Sequence, residues 1–139
     1  QCIEEALRLY PPVYVIDRVT VQEDKAGSLR FPRETLVLLS IFELHRFGKH
    51  WEEPEKFNPE RFAPDRKKDL SRVYYPFGGG PRMCVGNNFA MYEMMIALGL
   101  IAKQYRLESP LQELELDPLI SLKPKAVPII FISRDQGKD

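Results

Sequence analysis

The chain has 139 residues, enough for one domain or a part of one, and its 44% hydrophobic and 11% aromatic content can build a core. Twenty Lys and Arg balance twenty Asp and Glu, so no global charge excess points to nucleic acid or an anionic membrane. The longest apolar run, the nine residues Met94 to Ala102, is too short to span a bilayer, and two cysteines cannot form a disulfide framework.

From the N-terminal end, Ile3, Ala6, Leu7 and Tyr10 recur at i, i+3, i+4 and i+7, which predicts a helix with one buried apolar face. Nothing precedes that helix to cap its free N–H groups, so the chain is expected to continue a longer protein. Pro11 and Pro12 stop it. Val13, Val15, Val19 and Val21 then alternate as a strand does, broken only by Asp17. Glu23 to Gly27 reads as a turn, Ser28 to Phe31 as a short return strand, and Pro32-Arg33-Glu34 as a second turn. Thr35 to Ile41 predicts a buried strand, and Phe42 to Phe47 a short helix.

From Lys49 to Ser71 the chain is polar, with Pro54, Pro59 and Pro64 marking a surface loop held by Trp51, Phe57 and Phe62. Asn88 to Gln104 is apolar on most sides and is expected to be a central, buried helix. Two short strands, Leu119 to Leu122 and Ile129 to Ser133, are expected in the tail. With twelve prolines against eight glycines, long helices should be few, and the expected class is α+β.

The most informative stretch is Phe77-Gly78-Gly79-Gly80-Pro81-Arg82-Met83-Cys84-Val85-Gly86, which leads into the apolar helix. A cysteine at a helix start sits near free N–H groups and the positive end of the helix dipole, both of which favour thiolate. Arg82 adds a cation, and the glycines let the backbone approach a flat partner. Three roles fit these residue types. Cys84 could be a buried structural thiol. The glycines could cradle phosphate, although the Lys-Ser/Thr of such loops is missing. Or Cys84 could be a soft-metal ligand. A lone Cys with no CxxC partner or nearby His suits zinc poorly, but it suits an iron whose other ligands come from a porphyrin.

Phe77, Gly80, Arg82, Cys84 and Gly86 match the pattern Phe-x-x-Gly-x-Arg-x-Cys-x-Gly, and with them the chain resembles the cytochrome P-450 superfamily. Five fixed residues coincide by chance roughly once in a million starts. Glu5-x-x-Arg8 running into Leu9-Tyr10-Pro11-Pro12 is similar to the family's K helix, and Pro59-Glu60-Arg61-Phe62 to its Pro-Glu-Arg-Phe signature. Glu43 and Arg46 repeat the Glu-x-x-Arg spacing and are read as a solvated surface pair. His45-Arg46 and Trp51 fit a His-Arg-x-x-x-x-Trp stretch, with His45 structural. Phe89-Ala90 and Glu93 continue the family pattern to the helix, and Cys2 is expected to be inert.

The resemblance extends from Gln1 to about Arg134 and implies the C-terminal part of that fold: K helix, Cys-ligand loop, L helix and C-terminal hairpin, mainly α with small β-sheets. It implies haem (iron protoporphyrin IX) with Cys84 as axial iron ligand. Arg18 and Arg82 would pair with the propionates, and Phe77, Gly78, Gly86 and Ala90 would lie against the porphyrin. Glu5, Arg8 and Arg61 would form one buried network. Val13, Tyr14 and Val15, with Leu119, Ile120 and Ser121, would approach the substrate.

The implied activity of the intact protein is monooxygenation of a hydrophobic small molecule, with peroxygenase or hydroperoxide isomerase, or a non-catalytic fragment, as alternatives. The family's Ala/Gly-Gly-x-Asp/Glu-Thr pattern is absent from the 139 residues, so no catalytic residue is expected among them and the isolated chain should be inactive. A ferredoxin or flavin reductase would dock on the proximal face near Cys84, with Arg66-Lys67-Lys68 a candidate contact. Uncovered apolar faces should make the isolated chain self-associate, and a bacterial source would imply the cytoplasm.

Overall fold

The computed structural model describes residues 1–66 and 69–134. Helix α1 (Cys2–Leu9) ends at Tyr10, which takes an extended φ of −129° ahead of the two prolines. Its buried side differs from the predicted apolar stripe. Glu5, Leu7, Arg8 and Leu9 are buried, while Ala6 and Tyr10 are exposed. A helix that buries a carboxylate and a guanidinium must pair them, and that pairing organises the packing around it.

Strand β1 (Val15–Val19) runs antiparallel to β4 (Leu36–Ser40), with Val15 opposite Ser40 and Arg18 opposite Val37. Between them β2 (Asp24–Ala26) and β3 (Leu29–Phe31) form a hairpin. The turn expected over Glu23 to Gly27 is therefore displaced. Gly27, at φ +60°, supplies the left-handed residue that a tight hairpin needs, which frees Asp24–Ala26 to pair as a strand. β4 forms where predicted but is not buried: Leu36, Leu38 and Leu39 are 58%, 63% and 48% exposed. A two-stranded sheet covers neither of its own faces.

Helix α2 (Ile41–Leu44) follows directly, capped by Ser40 Oγ accepting the Glu43 N–H at 3.2 Å. The polar stretch after it lies over a small core of Trp51, Phe62, Tyr74 and His45 rings, with Leu9, Pro11 and Ile41 alongside. Phe57 stays outside, half exposed.

Helix α3 (Asn87–Gln104) is the long helix expected, yet none of its residues is buried. It touches α1 and β5, and Phe89, Ile96 and Leu100 face solvent. Its apolar surface is that of a helix other structure would cover, and none of the described residues buries it. Strand β5 (Tyr105–Glu108), unforeseen, leaves α3 without a break and pairs with β8 (Ile130–Ser133). Of the strand expected at Leu119 to Leu122, Leu119, Ile120 and Ser121 instead form the turn between β6 (Leu116–Pro118) and β7 (Leu122–Pro124), and Leu122 begins β7. The result is the expected α+β mixture of helices with small sheets. Among the described residues no helix is long and apolar enough to cross a membrane.

Candidate functional site

Residues 75–86 fold through short, local hydrogen bonds. Gly78 N–H donates to the Tyr75 carbonyl (3.0 Å), Met83 N–H to Gly80 (3.1 Å), and Cys84 N–H to Phe77 (2.9 Å). The last bond closes the loop, bringing the two ends of the sequence motif together. Gly78 (φ +72°) and Gly80 (φ +68°) occupy left-handed backbone that side chains strain. Gly79 is required for a different reason: a Cβ there would lie 3.2 Å from two Tyr75 ring carbons. Cys84 is exposed, two residues before the α3 cap Gly86. Its sulfur would stand 3.9 Å from a Cβ on Gly86, whose bare backbone leaves that flank of the thiol open.

The loop forms one side of a groove of about 680 Å³, and β1 with the chain before it forms the other. Cys84, Arg82, Phe77 and Gly78 line it together with Arg18 and Val13. Six residues predicted from separate parts of the sequence thus meet in one groove. Arg18 donates to the Asp17 carbonyl at 2.6 Å and reaches no carboxylate, and Arg82 makes no hydrogen bond or ion pair among the described residues. Two guanidinium groups at an apolar groove therefore lack acidic partners.

Gly86 and Ala90 lie half-buried where α3 begins, joined by the Ala90 N–H to Gly86 carbonyl bond of 2.9 Å. The two segments expected near a substrate are adjacent: Tyr14 Oη–H donates to the Leu119 carbonyl (3.0 Å) and Leu122 N–H to Pro12 (2.8 Å). Ile120 and Ser121 are exposed at that turn, as is Val15 on β1. Arg66 is exposed, while Lys67 and Lys68 lie outside the described residues.

Beneath the loop, Glu5 and Arg8 pair through both carboxylate oxygens, Nε to Oε2 at 2.7 Å and Nη2 to Oε1 at 2.8 Å, with neither side chain exposed. Glu5 Oε1 also accepts the Asn58 N–H (2.8 Å) and lies 3.4 Å from Arg61 Nε. Arg8 Nη1 donates to the His45 and Pro54 carbonyls, each at 2.7 Å. The Glu5–Arg8–Arg61 constellation is thus assembled, and it fastens α1 to the loop before and after Trp51, whose ring lies 5.1 Å from the Arg8 guanidinium. The repeated Glu43-x-x-Arg46 spacing makes no such pair. Arg46 bonds Glu55 instead, at 3.1 Å, and stacks over Phe42.

His45 is fully buried. Its Nε2 accepts the Tyr75 N–H at 2.9 Å, and Nδ1 faces the Arg8 carbonyl at 3.2 Å. Burial foremost, with nearby Arg8 and Arg46 adding to it, pushes its pKa down to about 4, so it is neutral at pH 7. Tyr74, stacked on it at 5.3 Å, has its phenol pushed well above the usual tyrosine range by burial and then by Glu4 and Glu5. The His-Arg-x-x-x-x-Trp spacing marks His45, but no sequence signal marks its bond to a backbone thirty residues on. Among the described residues no group of three His, Cys, Asp or Glu converges as a metal site.

A family model described as cytochrome P-450 matches residues 1–131. Cytochrome P-450 3A18 of Rattus norvegicus is 37% identical over 139 residues, covering 96% of this chain and 28% of that protein. The crystal structure of the cytochrome P-450DA haem domain superposes with a TM-score of 0.88 at 27% identity, over 95% of this chain and 30% of that one. The retinoic acid-bound cyanobacterial CYP120A1 gives 0.87 at 33% identity, over 95% and 31%. The chain spans less than a third of the length of these relatives.

Proposed function

The chain belongs to the cytochrome P-450 family of haem-binding oxidoreductases, and on that premise we propose that it is the haem-ligating part of a monooxygenase. The intact protein would insert one oxygen atom of dioxygen into a hydrophobic substrate. One observation carries this reading: an exposed thiol shares a largely apolar groove, which Asp17 also lines, with two arginines that form no ion pair among the described residues. That donor set fits haem, which offers a soft iron, a flat apolar face and two carboxylates. When bound, haem supplies the activation of dioxygen, helped by electron density from a thiolate ligand.

The chain's own residues bind and orient. Cys84, held by its N–H bond to the Phe77 carbonyl, would be the residue that ligates the haem iron. Arg18 and Arg82, which line the groove, would pair with the haem propionates. Phe77 and Gly78 in the groove, with Gly86 and Ala90 at the start of α3, would lie against the ring, where larger side chains would push it away. Glu5, Arg8 and Arg61 hold the scaffold and take no part in chemistry. Val13, Tyr14 and Val15, with Leu119, Ile120 and Ser121, face the substrate. Their apolar character supports a hydrophobic substrate, as does the retinoic acid bound by the similar cyanobacterial protein. A ferredoxin or flavin reductase would deliver electrons across the surface beside Cys84.

Labelled dioxygen tests the reaction class. With a reductase, a reductant and a hydrophobic substrate, the intact protein should place one labelled atom in the product and one in water. Turnover driven by peroxide alone would mark a peroxygenase. A rearranged hydroperoxide carrying no label from dioxygen would mark an isomerase.

A further inference from the structure

The buried network and the cysteine loop are not independent: the Tyr74 hydroxyl donates to the Glu4 carbonyl of α1 at 2.9 Å, and the His45 imidazole bonds the residue that follows. Tyr75 opens the loop, and its N–H has one acceptor among the described residues, His45 Nε2 at 2.9 Å. With Nε2 accepting, the imidazole proton resides on Nδ1 and is donated to the Arg8 carbonyl at 3.2 Å. Tyr74 stacked on one face at 5.3 Å and Trp51 at the ring edge at 6.3 Å prevent the imidazole from turning. Beyond Tyr75 the path is short. The Tyr75 carbonyl accepts the Gly78 N–H, its ring packs on Gly79, and the Phe77 carbonyl accepts the Cys84 N–H.

We propose that His45 is a positioning residue for Cys84, setting the place of the Tyr75 backbone against α1 and through it the orientation of the loop that carries the sulfur. Neighbouring bonds do not reach that amide: Arg8 bonds the carbonyls of 45, 54 and 56, and the Tyr74 hydroxyl bonds the Glu4 carbonyl at 2.9 Å. Among the described residues only the imidazole spans from the Arg8 carbonyl to the Tyr75 amide. A part-buried N–H deprived of that acceptor would move to find another, and the loop would move with it. The effect on ligation rests on the reading of Cys84 as haem ligand; the effect on the loop backbone does not.

Two variants of the intact, haem-loaded protein separate the bonds. In His45→Gln the side-chain oxygen reaches the place of Nε2 and can accept from Tyr75. In His45→Asn the shorter amide occupies the place of Nδ1 and keeps only the Arg8 bond. Amide hydrogen exchange at Tyr75 and Gly78 is read alongside the Soret band of the reduced CO complex. His45→Asn should exchange the Tyr75 amide roughly ten- to a hundredfold faster and shift part of the CO complex from the thiolate-type band to the unshifted one. His45→Gln should keep both close to the unmodified protein. Equal behaviour of the two variants, or unchanged Tyr75 exchange in His45→Asn, overturns the proposal. If His45→Asn does not fold, His45→Gln decides alone: slow Tyr75 exchange supports the proposal and fast exchange overturns it. Absence of the thiolate-type band from the unmodified protein would instead count against Cys84 as ligand, and the exchange comparison would still judge His45.

Discussion

Replacing Glu5 by Ala should remove a large part of the protein's stability. Arg8 is wholly buried and meets Glu5 through two bonds of 2.7 and 2.8 Å. Without the carboxylate its charge would face only the carbonyls of His45, Pro54 and Lys56. Breaking a buried pair in this way costs about 3–5 kcal/mol. The Asn58 N–H, which donates to Glu5 at 2.8 Å, would lose its acceptor and add about 1–2 kcal/mol. Against a total stability of about 5–15 kcal/mol, that predicts apoprotein or aggregate. Arg61 is a lesser partner, at 3.4 Å and 11% exposed, so Arg61→Ala should cost only about 1–2 kcal/mol. Because Arg61 meets Glu5 but also donates to the Glu53 carbonyl at 2.9 Å, the double variant should be worse than Glu5→Ala yet fall short of the sum of the two losses. Urea unfolding of the intact protein, with retained haem as a second readout, measures all three. Glu5→Gln substitutes in the cycle if Glu5→Ala does not fold. Additive losses, or a Glu5→Ala cost below about 1 kcal/mol, would refute a coupled buried network.

Other outcomes follow from single features. Gly78→Ala should cost about 1–2 kcal/mol in urea unfolding, from backbone strain at φ +72°, since the added Cβ meets Ile16 Cδ1 at an ordinary 3.5 Å. A neutral cost there would contradict the left-handed backbone. His45 titrates near 6.5 when unfolded and about 4 when folded, so the unfolded chain binds more protons between those values. The stability tied to its neutral form is present above pH 6.5 and lost as pH falls through 4, about 3 kcal/mol in all, and urea unfolding in pH steps should show that slope flattened in His45→Gln. The 139-residue chain by itself, with the apolar faces of α3 and β4 bare, should scatter light as oligomers and bind a hydrophobic dye. A dye-silent monomer would contradict this.

What could be read from sequence was local or motif-bound. The ends of α1 and β1 were visible because Pro11 and Pro12 lie between them, and the loop from Phe77 to Gly86 was visible because its glycines, Arg82 and Cys84 have few other uses in that order. Periodicity also located α3 and β4, but it reports which residues avoid water and not what covers them, so both were expected to be buried and both are exposed. β5 was hidden because Tyr105 continues from the helix with no breaker between. Leu119 to Leu122 misled because an apolar run carries no sign that Pro118 and Leu122 face each other across a turn. His45 was legible as a residue and not as a link, since a bond from an imidazole to the Tyr75 backbone has no period and no motif.

Cys84 as the ligand of haem iron is the claim on which the functional account depends, and the reduced CO complex of the intact protein tests it most directly. The unmodified protein should show the red-shifted Soret band of a thiolate–iron–CO complex. Cys84→Ala should lose that band while still holding haem through Arg18, Arg82 and the groove. A red-shifted band that persists in Cys84→Ala would contradict the account.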